Sequence, residues 1–324
     1  MLSKRRLSIL GIVAILSGCA TLPDGSANLD RSSAPVEIAA APFFPQQQFQ
    51  CGPAALATIL VHSGASTSAS DLGPQVYIPG RQGSLQPELL AATRAADRIP
   101  YVIDTSVSAI YAELAANRPV LVLQNLGISQ LPRWHYAVVV GVDPNHDKVY
   151  LRSGTDRRRE MKLKTFLRTW QRGDFWAFVA LQPGELPTQP ELTRFAEAVA
   201  AVEASGHDQA ARSSWQAAAR RWPEHPVVLF GLANNELSAK NYQQAEFHYR
   251  RILATRPDNL LAANNLALAL AYQARHAEAL QQINRVLANA ATDDPLRPEY
   301  LQTRQEIRDM PRKSSRNEEP PEAS

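Results

Sequence analysis

The chain of 324 residues contains few cysteines, little net charge and no apolar run long enough to cross a membrane. Two cysteines, Cys19 and Cys51, are too few for a disulfide framework or a four-cysteine zinc site. A formal charge of +3 does not indicate a nucleic-acid groove, so we expect no nucleic-acid partner. The sequence has no glycine-rich phosphate loop and no spaced set of metal-ligating histidines, so we predict no metal or other cofactor.

The composition is otherwise that of a globular protein, with 45% apolar and 20% charged residues. At ~150 residues per domain, the length favours about two domains. The pattern along the chain agrees with this division. Mixed helical and strand-like segments extend to about residue 183, and a region rich in Ala, Leu and Glu at helical spacing follows.

Residues 1–18 have the features of a signal peptide. Positive residues at 4–6 precede an apolar stretch at 7–16, which at ~1.5 Å per residue is too short to span a bilayer. An export signal predicts that the rest of the chain functions outside the cytoplasm.

The run Leu16-Ser17-Gly18-Cys19 resembles a bacterial lipobox, which implies cleavage before Cys19 and acylation of that cysteine. Ala20 stands where an Asp retains lipoproteins at the inner membrane, so the resemblance favours the periplasmic face of the outer membrane. Residues 19–41 are then a linker, and the lipid anchor is the expected contact with the membrane. An ordinary signal peptide with an incidental cysteine is the alternative.

Residues 42–183 are predicted to form an α+β domain. Helices are predicted at 52–63, 88–97 and 108–117, and strands at 120–124, 135–142, 148–152 and 175–181. Because the helices come first and neighbouring strands follow, the pattern favours an antiparallel sheet.

Residues 189–309 show a period of 34 residues. Positions 211, 245 and 279 are all Ala, and the aromatic or apolar positions Trp215, Tyr249 and Ile283 have the same spacing. The pattern resembles tetratricopeptide repeats at 223–256 and 257–290, with a degenerate repeat at 189–222 and a capping helix at 297–309. A generic array of helical hairpins is the alternative, and both predict an all-α solenoid. The charged, Pro-rich tail at 310–324 is predicted to be disordered.

Cys51 is the candidate nucleophile. With Cys19 assigned to the lipid, it is a lone thiol in an oxidising compartment, which is a liability unless the thiol is buried or used. Its position just before a predicted helix places it near unpaired N–H groups, which we expect to lower its pKa. Gly52 is interpreted as leaving room for a substrate backbone, and a distant His is expected as the proton acceptor.

The segment FFPQQQFQCGPAALATIL resembles the papain-like cysteine peptidases that process bacteriocin leader peptides after a double glycine. The resemblance spans about residues 42–183 and includes WHYAVVVGVDPNHDKVYLRSG, where those enzymes carry their catalytic His at the start of a strand. Together with the lipobox and the repeats, the arrangement is similar to exported lipoprotein peptidases with tetratricopeptide tails.

The resemblance implies a role for each residue of the site. Cys51 is the nucleophile, His135 the general base and acid, and Gln46 the oxyanion-hole donor. Three further glutamines leave the last assignment open by one or two positions: Gln47, Gln48 and Gln50.

The residue that orients His135 is where the sequence departs from the family, whose acidic residue aligns with Ser153. Asp143 lies eight residues along a predicted strand, ~26 Å away at ~3.3 Å per residue, so it is excluded. A hairpin centred near Asn145 instead brings His135 opposite the region of residue 155. We therefore expect either Ser153, a weaker partner than a carboxylate, or Asp156 reaching back.

The sequence therefore predicts an envelope-anchored thiol peptidase that cleaves peptides or proteins, with repeats that recruit the substrate or a protein partner. One alternative is a catalytically inactive binding scaffold. Another is a papain-like peptidoglycan hydrolase, although such enzymes usually carry Asp-Cys-Ser where this chain has Gln50-Cys51-Gly52. Trp134 is interpreted as a core or rim aromatic and residues 157–159 as a solvated turn.

Overall fold

A computed structural model of the chain describes residues 29–46, 50–128 and 130–310. The predicted signal peptide, Cys19, the start of the predicted linker and the tail from 311 onward lie outside the described residues. No helix within the described ranges is long and apolar enough to cross a membrane.

The strands of the described residues form one antiparallel sheet with the order β2-β7-β3-β4-β5-β6, and β1 pairs with β4. Their bounds are β1 Val36–Glu37, β2 Ile99–Val102, β3 Val120–Asn125, β4 Trp134–Asp143, β5 Lys148–Ser153, β6 Asp156–Lys162 and β7 Ala177–Leu181. Helices α1 Cys51–His62, α2 Ala69–Val76, α3 Gln86–Ala95, α4 Val107–Ala115 and α5 Leu163–Gln171 complete this part.

The central strands read as nearly continuous apolar runs because both of their faces are covered. Every residue of β7 is buried, as are all but the first two of β4. Helices α1 and α4 pack against β4, while α5 packs against β3. The arrangement buries the middle of the sheet and leaves the end of β4 that carries Trp134 and His135 at the surface.

The edge strand β6 corrects one expectation. Residues 157–159 belong to β6 and are paired with β5, whereas the sequence indicated a turn. All but one of the residues of β6 are exposed, so the strand lacks the apolar alternation that would have identified it. Charged residues on such an edge are solvated in a strand as well as in a turn.

The hairpin of β4 and β5 has the register that the sequence predicted near the site. Val138 pairs with Arg152 and Val139 with Leu151, as expected for a turn centred near Asn145. A bulge between Val139 and Gly141 then shifts the pairing by one residue. The bulge increases local twist but lies away from the His135 end of the strand.

The rest of the chain is an array of antiparallel helices, which confirms the predicted helical solenoid after an α+β domain. The bounds are α6 Leu192–Ala204, α7 Asp208–Arg221, α8 Pro226–Ser238, α9 Tyr242–Thr255, α10 Leu260–Tyr272, α11 His276–Asn289 and α12 Arg297–Asp309. The residues with 34-residue spacing are fully or almost fully buried: Ala211, Ala245, Ala279, Trp215, Tyr249 and Ile283. The repeat therefore places the same side chains at successive helix contacts.

Candidate active site

A cleft of about 870 Å³ brings together Gln46, Cys51 and His135, which come from three separate segments of the chain. Gln46 precedes α1, Cys51 is the first residue of α1, and His135 is the second residue of β4. Helix α1 packs on β4, which places the start of the helix beside the end of the strand.

Cys51 is half-buried at the N-terminus of α1. Burial raises the pKa of its thiol, and the backbone N–H groups of Tyr136, Gly52 and Cys51 itself lower it by less. The expected decrease in pKa is therefore wrong in its net direction, since the loss of water outweighs the hydrogen bonds to the thiolate. The side chain of Gln50 forms no cap at this helix end, so the first N–H groups remain directed at the sulfur.

Gly52 serves packing and not substrate access. A Cβ at this position would overlap the hydroxyl of Ser84, so a side chain of the protein already fills the space assigned to a substrate backbone. The Ser84 hydroxyl itself is buried and has no hydrogen-bond partner among the described residues. No motif in the sequence pointed to Ser84, which reaches the site from the loop before α3.

The imidazole of His135 lies against Ser153. The two side chains meet at 2.8 Å between Nε2 and Oγ, and Ser153 is buried at the end of β5. Asp156 instead lies 3.8 Å from Arg159 in an exposed ion pair, and Asp143 hydrogen-bonds His146 in the β4–β5 turn. Of the three candidates, the structure therefore brings only Ser153 to the ring.

Burial is also the main influence on His135. It lowers the pKa of the imidazole to about 4, with smaller contributions in the same direction from Arg159 and Arg133. At neutral pH the ring is uncharged and, because the thiol pKa is raised, Cys51 is protonated. The resting cleft thus holds a neutral thiol and a neutral imidazole and not a preformed ion pair.

Gln46 is hydrogen-bonded to β4 and to the turn that follows β5. Its Nε2 donates to the carbonyl of Tyr136 at 3.3 Å, and its backbone N–H donates to the carbonyl of Gly154 at 3.0 Å. Gln50 occupies the N-cap of α1, while Gln47 and Gln48 lie outside the described residues. Within the described part of the chain, Gln46 is the glutamine of this run that lines the cleft.

Arg152 is a supporting residue that the sequence reasoning missed. Its guanidinium, only 4% exposed, donates to the carbonyls of Ala39, Ala41 and Arg157. It therefore ties the segment leading to Gln46 onto β5, next to Ser153. A cation directly after the apolar run VYL, on a strand whose residues are almost all buried, was the signal that could have identified it.

The outer wall of the cleft is formed by Arg81, Leu85, Arg133, Trp134 and Asp174. Trp134 is 56% exposed, which makes it a rim residue of the cleft. The wall thus contains both apolar surface and charge, and of its residues the sequence had singled out only Trp134.

The part of the chain that forms this cleft is similar to known peptidases. Residues 38–176 match the model of the peptidase C39-like family. Similar solved structures include a C39-like peptidase from Bacillus anthracis, at 16% identity over 46% of this chain and 98% of the other, with a TM-score of 0.39. Another is the peptidase domain of Streptococcus ComA, a bifunctional ABC transporter involved in quorum sensing, at 19% identity over 44% and 98%, with a TM-score of 0.36. A search of the curated proteins found no match.

Proposed function

We propose that the protein is a cysteine peptidase in which Cys51 is the nucleophile and His135 the general base and acid. The observation that carries this proposal is the convergence of Cys51, His135 and Gln46 in one cleft, with Ser153 against the far nitrogen of the imidazole. The match of residues 38–176 to a peptidase family supports it.

The hydrogen bond to Ser153 determines which nitrogen is available for catalysis. With its proton on Nε2, His135 donates to the Ser153 hydroxyl and leaves Nδ1 as the acceptor for the thiol proton. Because both groups start neutral, deprotonation of Cys51 accompanies its attack on the peptide carbonyl, and the C–S bond forms as the proton moves to His135.

The tetrahedral intermediate places negative charge on the former carbonyl oxygen. The backbone N–H of Cys51 and the side-chain amide of Gln46 stabilise it, since Gln46 exchanges its long bond to Tyr136 for one to the oxyanion. His135 then protonates the leaving amine as the C–N bond breaks. Water, deprotonated by the same imidazole, hydrolyses the thioester and restores the thiol.

A catalytically inactive binding protein is the second candidate, and a specific observation favours it. Ser153 is neutral, so it stabilises an imidazolium less than a carboxylate does, and burial opposes charge on both Cys51 and His135. In such a protein the same cleft would hold a peptide without cleaving it.

We further propose that the protein is a lipoprotein of the cell envelope, attached through Cys19 to the periplasmic face of the outer membrane. The run Leu16-Ser17-Gly18-Cys19 supports this proposal. Cys19→Ser should abolish acylation and release the protein from the membrane fraction. Unchanged fractionation of that variant would contradict the anchor.

The helical region is proposed to be a set of tetratricopeptide repeats that recruits the substrate or a protein partner. Its support is the buried 34-residue pattern in an array of antiparallel helices. Pull-down of envelope proteins by the full chain and by a chain without residues 240–310 should differ if the repeats recruit a partner.

Alkylation of Cys51 by iodoacetamide tests the proposed catalytic pair. The rate should keep rising above pH 9, because burial raises the thiol pKa, and it should show no step near pH 6.5, because the pKa of His135 is about 4. His135→Gln should slow the reaction at pH 7 by roughly tenfold or more, since the proton acceptor is lost. A rate equal to that of a free thiol and unaffected by His135→Gln would instead support the inactive scaffold.

Activity itself is tested by comparing envelope peptides from cells that produce the wild-type protein with those from Cys51→Ala cells. Peptides present only with the wild-type protein, and again absent with His135→Gln, would identify cleavage products. Identical peptide sets would contradict the peptidase.

A further inference from the structure

The cleft contains two arginine side chains that have no hydrogen-bond or ion-pair partner among the described residues. Arg81 and Arg133 both line it, and within the described residues neither guanidinium forms a hydrogen bond or an ion pair. Other arginines close to the site are engaged: Arg158 pairs with Glu37, and Arg172 donates to the carbonyl of Asn125. Arg157, on the exposed edge strand β6, also has no side-chain partner among the described residues, but it does not line the cleft.

The backbone holds both arginines in place. Arg81 ends the short 3-10 turn Pro79–Arg81, which is closed by the hydrogen bond from Ile78 N–H to the Gly83 carbonyl. The N–H of Arg133 donates to the side chain of Asn125 at 2.8 Å, and its carbonyl accepts from Leu126. Because these backbones are already fixed, binding a ligand costs the ordering of the two side chains but not of the segments that carry them.

The charge balance of the cleft favours an anion. Among the described residues that line the cleft, one carries a carboxylate, Asp174, and two carry guanidinium groups, Arg81 and Arg133. Arg159 lies near enough to influence His135 but already has Asp156 as its partner. Glu88, on α3, influences Tyr136 on the inner side of the site. The net charge at the rim is therefore positive.

Apolar surface lies beside these cations. Trp134 is 56% exposed and Leu85 is 37% exposed, and both line the same cleft. Exposed aromatic and aliphatic side chains next to free guanidinium groups fit a peptide that has an acidic residue with apolar neighbours.

We propose that the cleft selects peptide segments with an Asp or Glu side chain, which binds Arg81 and Arg133 while apolar neighbours contact Trp134 and Leu85. The inference rests on the proposed peptidase function, because it names the substrate class of that site. Guanidinium groups bind carboxylates in a two-point geometry that lysines do not provide.

Substrate binding of this kind also affects the chemistry. Arg133 is one of the cations that disfavour a charged His135. A substrate carboxylate on Arg133 offsets that cation and makes the imidazolium more favourable during attack. Acidic substrates are thereby both bound and better activated.

The charge of the cleft can be measured without a known substrate. Rates of Cys51 alkylation by iodoacetate (anionic) and iodoacetamide (neutral) are compared in the full chain, with peptide mapping to separate Cys51 from Cys19. The ratio of the two rates is divided by that of blocked cysteine, a free thiol. We expect this normalised ratio to exceed one by several-fold and to fall as salt rises from about 0.01 to 0.5 M, because screening shortens the reach of charges.

Three cleft variants, each changing the charge by one unit, identify the groups responsible, and a fourth variant is the control. Arg81→Gln and Arg133→Gln should each lower the ratio by roughly threefold. Because both reagents are compared within one variant, any change that Arg133→Gln causes in thiol reactivity through His135 cancels in the ratio. Asp174→Asn should raise the ratio, since it removes the opposing carboxylate. Arg250→Gln, which deletes an exposed arginine of α9 paired with Glu246, is the control and should change nothing. A ratio of one, or a ratio that Arg250→Gln lowers as much as the cleft variants, would overturn the inference.

Peptide protection then tests the ligand class. Random decapeptide pools with one position fixed as Glu or as Gln are used to protect Cys51 from iodoacetamide. The Glu pool should protect at several-fold lower concentration, and this advantage should disappear in Arg81→Gln and Arg133→Gln. Equal protection by both pools would overturn the inference even if Cys51 depends on His135. A different result would separate the two proposals. If iodoacetate is preferred and both arginines are required, but His135→Gln leaves the Cys51 alkylation rate unchanged, the proposed peptidase would be overturned and the anionic ligand supported.

Discussion

The packing of the molecule and the pattern of its sequence place the boundary between its two regions differently. The sequence pattern changes near residue 189, whereas the two hydrophobic cores meet at helix α8. The first core surrounds the sheet and continues into the helical region, where it includes side chains of α6, α7 and one side of α8. The second core lies between the other side of α8 and α12. Helix α8 contributes Val228 and Leu232 to the first core and Leu229 and Ala233 to the second.

The difference shows that the first helical pair is part of the body that holds the site. Phe195 of α6 packs against Tyr101 of β2, with ring centroids 6.4 Å apart. Buried Glu113 on α4 accepts two hydrogen bonds from Thr188, just before α6. The composition change near residue 189 marks a change of secondary structure, and the packing continues across it.

Truncation is expected to have the largest effect on this arrangement. A chain ending at residue 183 loses α6 and α7 and uncovers Tyr101, whereas a chain ending at residue 239 keeps the whole first core. At about 1.5–3 kcal/mol per large apolar side chain uncovered, the shorter chain should lose roughly 4 kcal/mol or more. Urea unfolding, with Cys51 alkylation as the probe of the site, measures the loss.

The chain ending at residue 239 is the control for truncation as such. It should unfold with nearly the free energy of the first core in the full protein. Equal stability of the two shortened chains would show that α6 and α7 do not stabilise the α+β domain. The domain boundary would then lie at residue 183, as the sequence predicts.

Gly231→Ala tests the joint between the cores. Gly231 of α8 faces Trp215 of α7, and a Cβ there would lie within 2.6 Å of the buried indole ring. Overpacking of about 1–3 kcal/mol should exceed the gain of up to about 1 kcal/mol in helix propensity, so the variant should be less stable. Gly73→Ala in α2 is the control, because nothing lies within 4 Å of that Cβ. Loss of stability in both variants to the same extent would contradict the steric explanation.

Local sequence signals were sufficient for the elements that carry the site. Pro53 in the first turn and the apolar face after it located α1 within one residue of its start at Cys51. The apolar run after Trp134 located β4 in the same way. The hairpin between β4 and β5 then placed His135 near Ser153, because antiparallel register follows from the position of the turn.

The properties that the sequence did not show depend on tertiary surroundings. Strand β6 is exposed and gains its conformation from pairing with β5, so its own residues have no strand pattern. Helix α2 contains Pro74, which speaks against a helix in a local reading. The direction of the Cys51 pKa shift was wrong because N–H groups can be anticipated from a helix start, whereas burial of the sulfur depends on β4 packing against it.

Ser153→Asp tests whether the reactivity of Cys51 is limited by the lack of a charged partner for His135. A carboxylate beside Nε2 should raise the pKa of His135 from about 4 and favour a thiolate–imidazolium pair. Alkylation of Cys51 at pH 7 should then accelerate by about tenfold, with reactivity extending to lower pH. Ser153→Asn is the neutral control of the same size and should not accelerate the reaction. An equal change in both variants would show that shape, and not charge, controls the pair.

Tyr101→Phe should have the smallest effect, and it tests whether the contact between β2 and α6 influences the active site. The Tyr101 hydroxyl donates to the carbonyl of Gln189 and accepts from the N–H of Glu191, so it links β2 to the segment that enters α6. Removing it should cost about 1 kcal/mol in the free energy of unfolding and leave the Cys51 alkylation rate unchanged. Tyr300→Phe in the second core is the matched control, because its hydroxyl has no hydrogen bond within the described residues. Since that variant loses no hydrogen bond, its stability should stay within about 0.5 kcal/mol of the wild type. Slower alkylation of Cys51 in Tyr101→Phe would mean that the contact between β2 and α6 influences the cleft. The first core would then act on the site as one cooperative unit.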